Sequence, residues 1–179
     1  MIALLLAAQL TVATASDFNP LDLSLETELG RLEPGDPFPD IDFTQHSEQR
    51  RLSEFEGVRV VDFWASWCEP CISAMPELDQ LASDYDDRGV RVIALVLDQE
   101  ARALKTLERR GLQRRTLVVG LATQQTRDRF TQVSRDQYKT SIPWVFVVDA
   151  DGQLVGEHRG SEEDAVARVR ALVETALNR

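Results

Sequence analysis

Apolar and polar positions along this chain fall into blocks with two distinct periods. Val58–Ala65 (VRVVDFWA) is rich in β-branched and aromatic residues, which predicts a strand. Its near-continuous apolarity predicts burial on both faces, the habit of a central strand in a sheet covered by helices. In Glu69–Asp87, Met75, Leu78, Leu81, Ala82 and Tyr85 recur at three- and four-residue spacing, predicting an amphipathic helix. Pro76 lies inside it and predicts a kink, because it removes a backbone donor. Gly89 ends that helix, and Val90–Leu97 (VRVIALVL) reads as a second buried strand. Gln99–Arg110 is a helical pattern with Ala103, Leu104 and Leu107 inward and Gly111 as its stop. Leu117–Val119 is a short strand, and Gln124–Lys139 a polar, mostly helical connection with Phe130, Val133 and Tyr138 as anchors. Trp144–Asp149 (WVFVVD) is a third clear strand, and Asp151-Gly152 turns it into Gln153–His158 as an antiparallel hairpin. Ser161 with Asp164 predicts a variant capping box opening a last helix with Ala165, Val169, Leu172 and Ala176 on one face.

Ahead of this block the pattern weakens. Asp17–Leu32 is acidic, with Leu21, Leu23 and Leu25 alternating, and reads as a short strand or an extended arm. Gly35-Asp36-Pro37-Phe38-Pro39 is a rigid turn. Ile41 and Phe43 then alternate with Asp40 and Asp42 as in a short edge strand. Leu52, Phe55 and Gly57 predict a brief helical turn. From Val58 onward the order is β-α-β-α-β-α-β-β-α. Parallel crossovers followed by a hairpin and a covering helix predict an α/β fold, a central mixed β-sheet flanked by helices, with an N-terminal extension.

Charge sharpens the division. The 179 residues suit one domain, and the net charge is −10. Asp17–Glu56 carries 11 acids against 3 arginines, whereas Gly57–Arg179 is nearly balanced, with 19 acids against 17 basic residues. An acidic leading segment on a near-neutral domain argues against nucleic acid and anionic membrane surfaces as partners. Met1–Ser16 is uncharged, mostly apolar and ends in Ala13-Thr14-Ala15, a small-x-small cleavage pattern. It predicts a signal peptide over residues 1–15, or an uncleaved anchor, and hence a periplasmic or other extracytoplasmic, oxidising compartment.

The chemistry concentrates after the first strand. Cys68-Glu69-Pro70-Cys71 holds the only two cysteines. A pair this close constrains the unfolded chain little, so the spacing favours redox chemistry over stapling. At the start of a helix, unpaired N–H groups and the dipole favour a Cys68 thiolate. Cys71, one turn on, is placed to resolve a mixed disulfide. Pro70 stiffens the first turn at little cost. Glu69 acts in two opposing ways, against the thiolate and with the dipole. A zinc site needs four ligands, and His46 and His158 are the only histidines, so no metal and no cofactor are expected. Asp62, an acid inside an apolar strand, is expensive to ionise, so its pKa is expected to rise, suiting it to relay a proton to Cys71.

FWASWCEPC, followed about 70 residues later by Ser141-Ile142-Pro143 before an apolar strand, resembles the thioredoxin superfamily, in particular its exported TlpA/ResA-like thiol-disulfide oxidoreductases. The elements around Gly35-Asp36 to Asp40, Leu52 to Gly57 and Asp149 to Gly160 resemble the same group, so the likeness covers residues 32–179 as one thioredoxin-like domain. It implies that Cys68 is the exposed attacking cysteine and Cys71 the resolving one. It further implies that Trp67 packs beside the pair and that Pro143 is a cis-proline leaving the Ile142 backbone for an extended substrate. The group usually has Asn at Asp62, often Glu at Ala74, and more usually Thr at Trp144. Asp62 instead resembles the buried acid of thioredoxin itself. Trp144 is read either as narrowing a substrate groove or as simply packing. Peroxiredoxins share the leading element, but Ala65 stands where their threonine would.

The resemblance implies exchange with protein dithiols and disulfides, most directly reduction of protein disulfides outside the cytoplasm with a membrane electron donor to recharge the pair. Cytochrome c maturation is one such role. A disulfide-forming oxidant and a non-catalytic binding module are the alternatives.

Overall fold

The computed structural model describes residues 29–30, 32–112, 115–127 and 142–179. Strands β1 (Asp42–Gln45), β2 (Glu48–Arg51) and β3 (Val58–Trp64) lead into helix α1 (Glu69–Tyr85), then β4 (Val90–Val96), α2 (Glu100–Arg109) and β5 (Val118–Ala122). The hairpin β6 (Trp144–Val148) and β7 (Leu154–Arg159) precedes α3 (Ala165–Leu177). The seven strands form one sheet in the order β2-β1-β5-β4-β3-β6-β7. The predicted signal segment, the leucine alternation of Asp17–Leu32 up to residue 28, and the anchors Phe130, Val133 and Tyr138 lie outside the described residues.

Every residue of β3 is buried, as its near-continuous apolar content requires of a central strand. It runs parallel to β4 and antiparallel to β6, so the sheet is mixed where the parallel crossovers meet the hairpin. The strand's alternation divides its side chains between two cores. Val58, Val60 and Trp64 join α1, α2 and α3 residues such as Met75, Leu107 and Val169 on one face. Val61 and Phe63 join Trp144, Phe146, Phe43 and the leading segment's Leu29 and Ile41 on the other.

Four local expectations change. The strand over Asp42–Gln45 is not at the edge: it lies between β5 and a partner the hydropathy pattern did not reveal, β2 (EQRR). That strand is polar because it forms the sheet margin, where charge guards against further pairing. Gly120 lets β1 dock, since a Cβ there would collide with the Phe43 ring. The predicted capping box at Ser161 does not form. Asp164 stands at the N-cap of α3 without a side-chain cap bond, and its carboxylate pairs with Arg168 at 2.9 Å instead. The buried face of α3 is Val166, Val169, Val173 and Ala176, one position round from the predicted Ala165 and Leu172. In α2, Thr106 rather than Leu104 is buried with Ala103 and Leu107.

Helix α1 runs on through Pro76 without a break. The β6–β7 turn is held by Asp149, whose Oδ1 accepts the N–H groups of Asp151 at 3.1 Å and Gln153 at 2.9 Å. Among the described residues no helix is long and apolar enough to cross a membrane.

Candidate active site

Where β3 ends, the chain makes a tight passage into α1. The Cys68 N–H donates to the Ala65 carbonyl at 3.0 Å, closing the turn that carries Ser66 and Trp67. Cys68 then occupies the N-cap of α1, with Pro70 in the first turn. A helix start leaves N–H groups without intrahelical partners, and the Cys71 N–H donates to Cys68 Sγ at 3.3 Å. The sulfur of Cys68 thus takes the place that a serine or aspartate oxygen takes in a conventional cap. The two cysteines are joined as a disulfide with a Cα–Cα distance of 5.3 Å, so this is the oxidised form.

Cys68 is more sheltered than the resemblance implied. Cys68 is 5% exposed and Cys71 1%. Trp67, at 55%, is the exposed large hydrophobic residue among those described, and it directly precedes the pair.

A cavity of about 530 Å³ opens alongside. Cys71 and Ala74 line it from α1, Asp62 from β3, Pro143 and Val145 from the start of β6, and His158 from β7. The Ile142–Pro143 peptide bond is cis, and Ile142 is half-buried between the two cores. Of the sequence-derived site residues, Asp62, Cys71 and Pro143 therefore converge on one cavity.

Trp144 does not. It follows Pro143 and precedes Val145, so strand alternation turns it to the opposite face of the sheet. There it is fully buried, 4.7 Å from Phe146 between ring centroids. The Arg159 guanidinium lies 3.5 Å over its ring, and its indole N–H donates to Glu157. Of the two readings of Trp144, packing describes its position, and the groove reading is set aside.

The electrostatics centre on Asp62. Burial pushes its carboxyl up to about 7, because removing the carboxylate from water disfavours the charged form. Its neighbours across the sheet, Ala94 on β4 and Val145 on β6, offer it no charge, and its Oδ2 has no hydrogen-bond partner. The acid is thus poised to hold or release a proton near neutral pH. The ambiguity over Glu69 is reduced too: its carboxylate pairs with Arg110, just beyond α2, which offsets the negative charge beside Cys68.

Three positions around the site escaped the sequence reading. Asp98 follows β4 and accepts the Ser66 N–H at 2.9 Å and the Ser66 hydroxyl, clamping the loop before Trp67 and Cys68. Its position just past the carboxyl end of a parallel strand, where α/β sites gather, was the available signal. Arg110 and His158 carried none, because each reaches the site only through the fold.

The Redoxin family profile matches residues 33–173. The chain belongs to the Redoxin family. Within it the protein is a TlpA/ResA-like member of the thioredoxin superfamily. It is 25% identical over 136 residues to the thiol-disulfide oxidoreductase ResA of Bacillus thuringiensis subsp. konkukian, covering 75% of this chain and 72% of that one. It is 32% identical over 123 residues to a thiol:disulfide interchange protein DsbE homologue of Paracoccus denitrificans, covering 68% and 62%. Among solved structures, a putative thiol:disulfide interchange protein DsbE of Chlorobium tepidum superposes with a TM-score of 0.65 at 27% identity, covering 82% of this chain and 99% of that one. For this Redoxin member, with its Cys68–Cys71 disulfide at a helix start, the chemistry is dithiol/disulfide exchange.

Proposed function

We propose that the protein is a reductant of protein disulfides outside the cytoplasm, with Cys68 as the attacking thiol, Cys71 as the resolving thiol and Asp62 as the proton acceptor for Cys71. The observation that carries this reading is the shared cavity of Asp62 and Cys71, with the carboxyl held near 7 by burial. An acid of that strength takes the Cys71 proton without being permanently ionised, as general base catalysis near neutral pH requires.

The cycle balances. In the reduced protein the Cys68 thiolate attacks one sulfur of a substrate disulfide, and the substrate's first thiolate leaves. The Cys71 thiol gives its proton to the Asp62 carboxylate, and its sulfur attacks Cys68 Sγ. The Cys68–substrate bond breaks, and the second substrate thiolate leaves with the bonding pair. Two electrons have passed from the cysteine pair to the substrate, and the pair is left in the disulfide form seen here. Trp67, exposed beside Cys68, offers an apolar contact to the approaching chain, and the Ile142 backbone by Pro143 offers it polar groups.

The apolar Met1–Ala15 stretch supports the compartment, and an oxidising compartment makes a membrane electron donor the source of recharge. Keeping the cysteines of apocytochrome c reduced is the role this combination suits. The deciding measurement is the reduction potential of the Cys68–Cys71 couple. A value near thioredoxin's, about −270 mV, supports the reductant; one near about −120 mV belongs to an oxidant and overturns the direction.

A further inference from the structure

We propose that His158, with Glu162 behind it, is the positioning residue that carries the proton between Asp62 and solvent. The inference rests on the reading of Asp62 as proton acceptor for Cys71 and extends it to the route by which that buried acid is recharged.

The sheet register supplies the first observation. Asp62 pairs with Val145 and Val145 with His158, so the three lie in one row across β3, β6 and β7 and face the same side. On Asp62's other side the row continues through Ala94 and Val119. His158 is therefore the row's other titratable residue. Two inter-strand spacings place it roughly 10 Å from Asp62 between Cα atoms, and both side chains extend into the same cavity.

The second observation is a gradient of exposure. Asp62 is 1% exposed, the His158 side chain 10% and the Glu162 side chain 56%. His158 Nε2 lies 3.1 Å from Glu162 Oε2, without the alignment of a hydrogen bond. Gly160 makes this possible: its φ is +124°, and a Cβ there would meet Glu162 Oε2 at 2.7 Å. A side chain at position 160 would displace the carboxylate from the imidazole.

Every proton taken from Cys71 must leave Asp62 before the next turnover, and Asp62, 1% exposed, meets water only through the cavity it lines. A cavity of about 530 Å³ is far larger than the ~30 Å³ a water occupies, and its polar groups give such water partners. The proton passes from Asp62 through that water to His158, and from His158 to Glu162 and bulk. No bond other than O–H and N–H changes in this step, and no electrons move. The other groups facing His158 are Cys71 and Glu77 from α1, with Glu69 at the rim, and Glu163 and Asp164 from the turn into α3. All but Cys71 are carboxylates.

The test measures single-turnover oxidation of the reduced protein by a small disulfide from pH 5.5 to 8.5 for the wild type, Asp62→Asn, His158→Gln and Glu162→Gln. His158→Gln is expected to slow the resolving step at least fivefold near pH 7, with imidazole in the buffer restoring the rate. Glu162→Gln is expected to give a smaller loss. An unchanged rate and pH profile in His158→Gln, or a loss that imidazole does not restore, overturns the proposal. If Asp62→Asn slows the step and His158→Gln does not, the His158 route fails while the Asp62 reading stands; if neither slows it, both fail. Should His158→Gln not fold, the wild-type His158 ring resonance decides. Its titration is expected to shift between the wild type and Asp62→Asn, and coincident titrations overturn the coupling.

Discussion

The carboxylate of Asp98 receives both the backbone N–H of Ser66, at 2.9 Å, and its hydroxyl. These bonds join the carboxyl end of β4 to the loop that delivers Trp67 and Cys68, 32 residues apart in sequence. They fix the approach to α1 at the point where the pair must be presented.

Asp98→Ala is therefore expected to cost about 2 kcal/mol of stability, since hydrogen bonds to a charged partner are worth about 1.5–3 kcal/mol each and this pair is only partly buried. It should also slow disulfide reduction several-fold, because the Cys68 loop loses its anchor. Urea unfolding and insulin reduction measure the two effects. Undiminished activity in a destabilised variant would show the clamp to be structural alone.

Asp62 makes stability depend on pH in a definite sense. Its pKa rises from 3.8 when unfolded to about 7 when folded. Between those values the folded state keeps a proton that the unfolded state has released, so stability falls as pH rises. The full effect, reached above pH 7, is about 4 kcal/mol. Asp62→Asn removes that penalty. The variant should gain stability relative to the wild type on going from pH 5 to pH 8, while its resolving step slows. Unfolding at the two pH values checks this, and a pH-independent difference between variant and wild type would refute it.

With Cys68 proposed to attack and Cys71 to resolve, removal of each thiol is expected to give a different phenotype. Cys68→Ser is expected to abolish exchange. Cys71→Ser is expected to retain attack but accumulate mixed disulfide, visible as a covalent adduct that dithiothreitol releases. Adducts formed by Cys68→Ser and not by Cys71→Ser would reverse the roles.

Arg110 shields the pair from Glu69. Arg110→Ala should leave stability within about 0.5 kcal/mol, as expected for an exposed ion pair. It should slow iodoacetamide alkylation of Cys68 in the reduced protein about two- to threefold at neutral pH, because an unopposed carboxylate disfavours the thiolate. Unaltered alkylation would mean that solvent already screens Glu69.

The chain by itself determined the central strand, the helix carrying Cys68 and Cys71, the closing hairpin and the chemistry of the pair, because each is written in short-range periodicity or in adjacent residues. Asp62 was legible as well: an acid amid VRVVDFW has few places to go but a buried one. β2 was not, since EQRR owes its strand to pairing with β1 rather than to its own hydropathy. The predicted cap at Ser161 failed for a related reason, because a local signal yielded to the packing of Val166, Val169 and Val173. Tertiary structure alone decided which side chains share a space. It turned Trp144 away from the site by strand alternation, closed Asp98 onto Ser66, brought Arg110 to Glu69, and placed His158 in the row of Asp62 through two inter-strand registers. Register and crossover geometry act between segments far apart in the chain, and no window of sequence contains them.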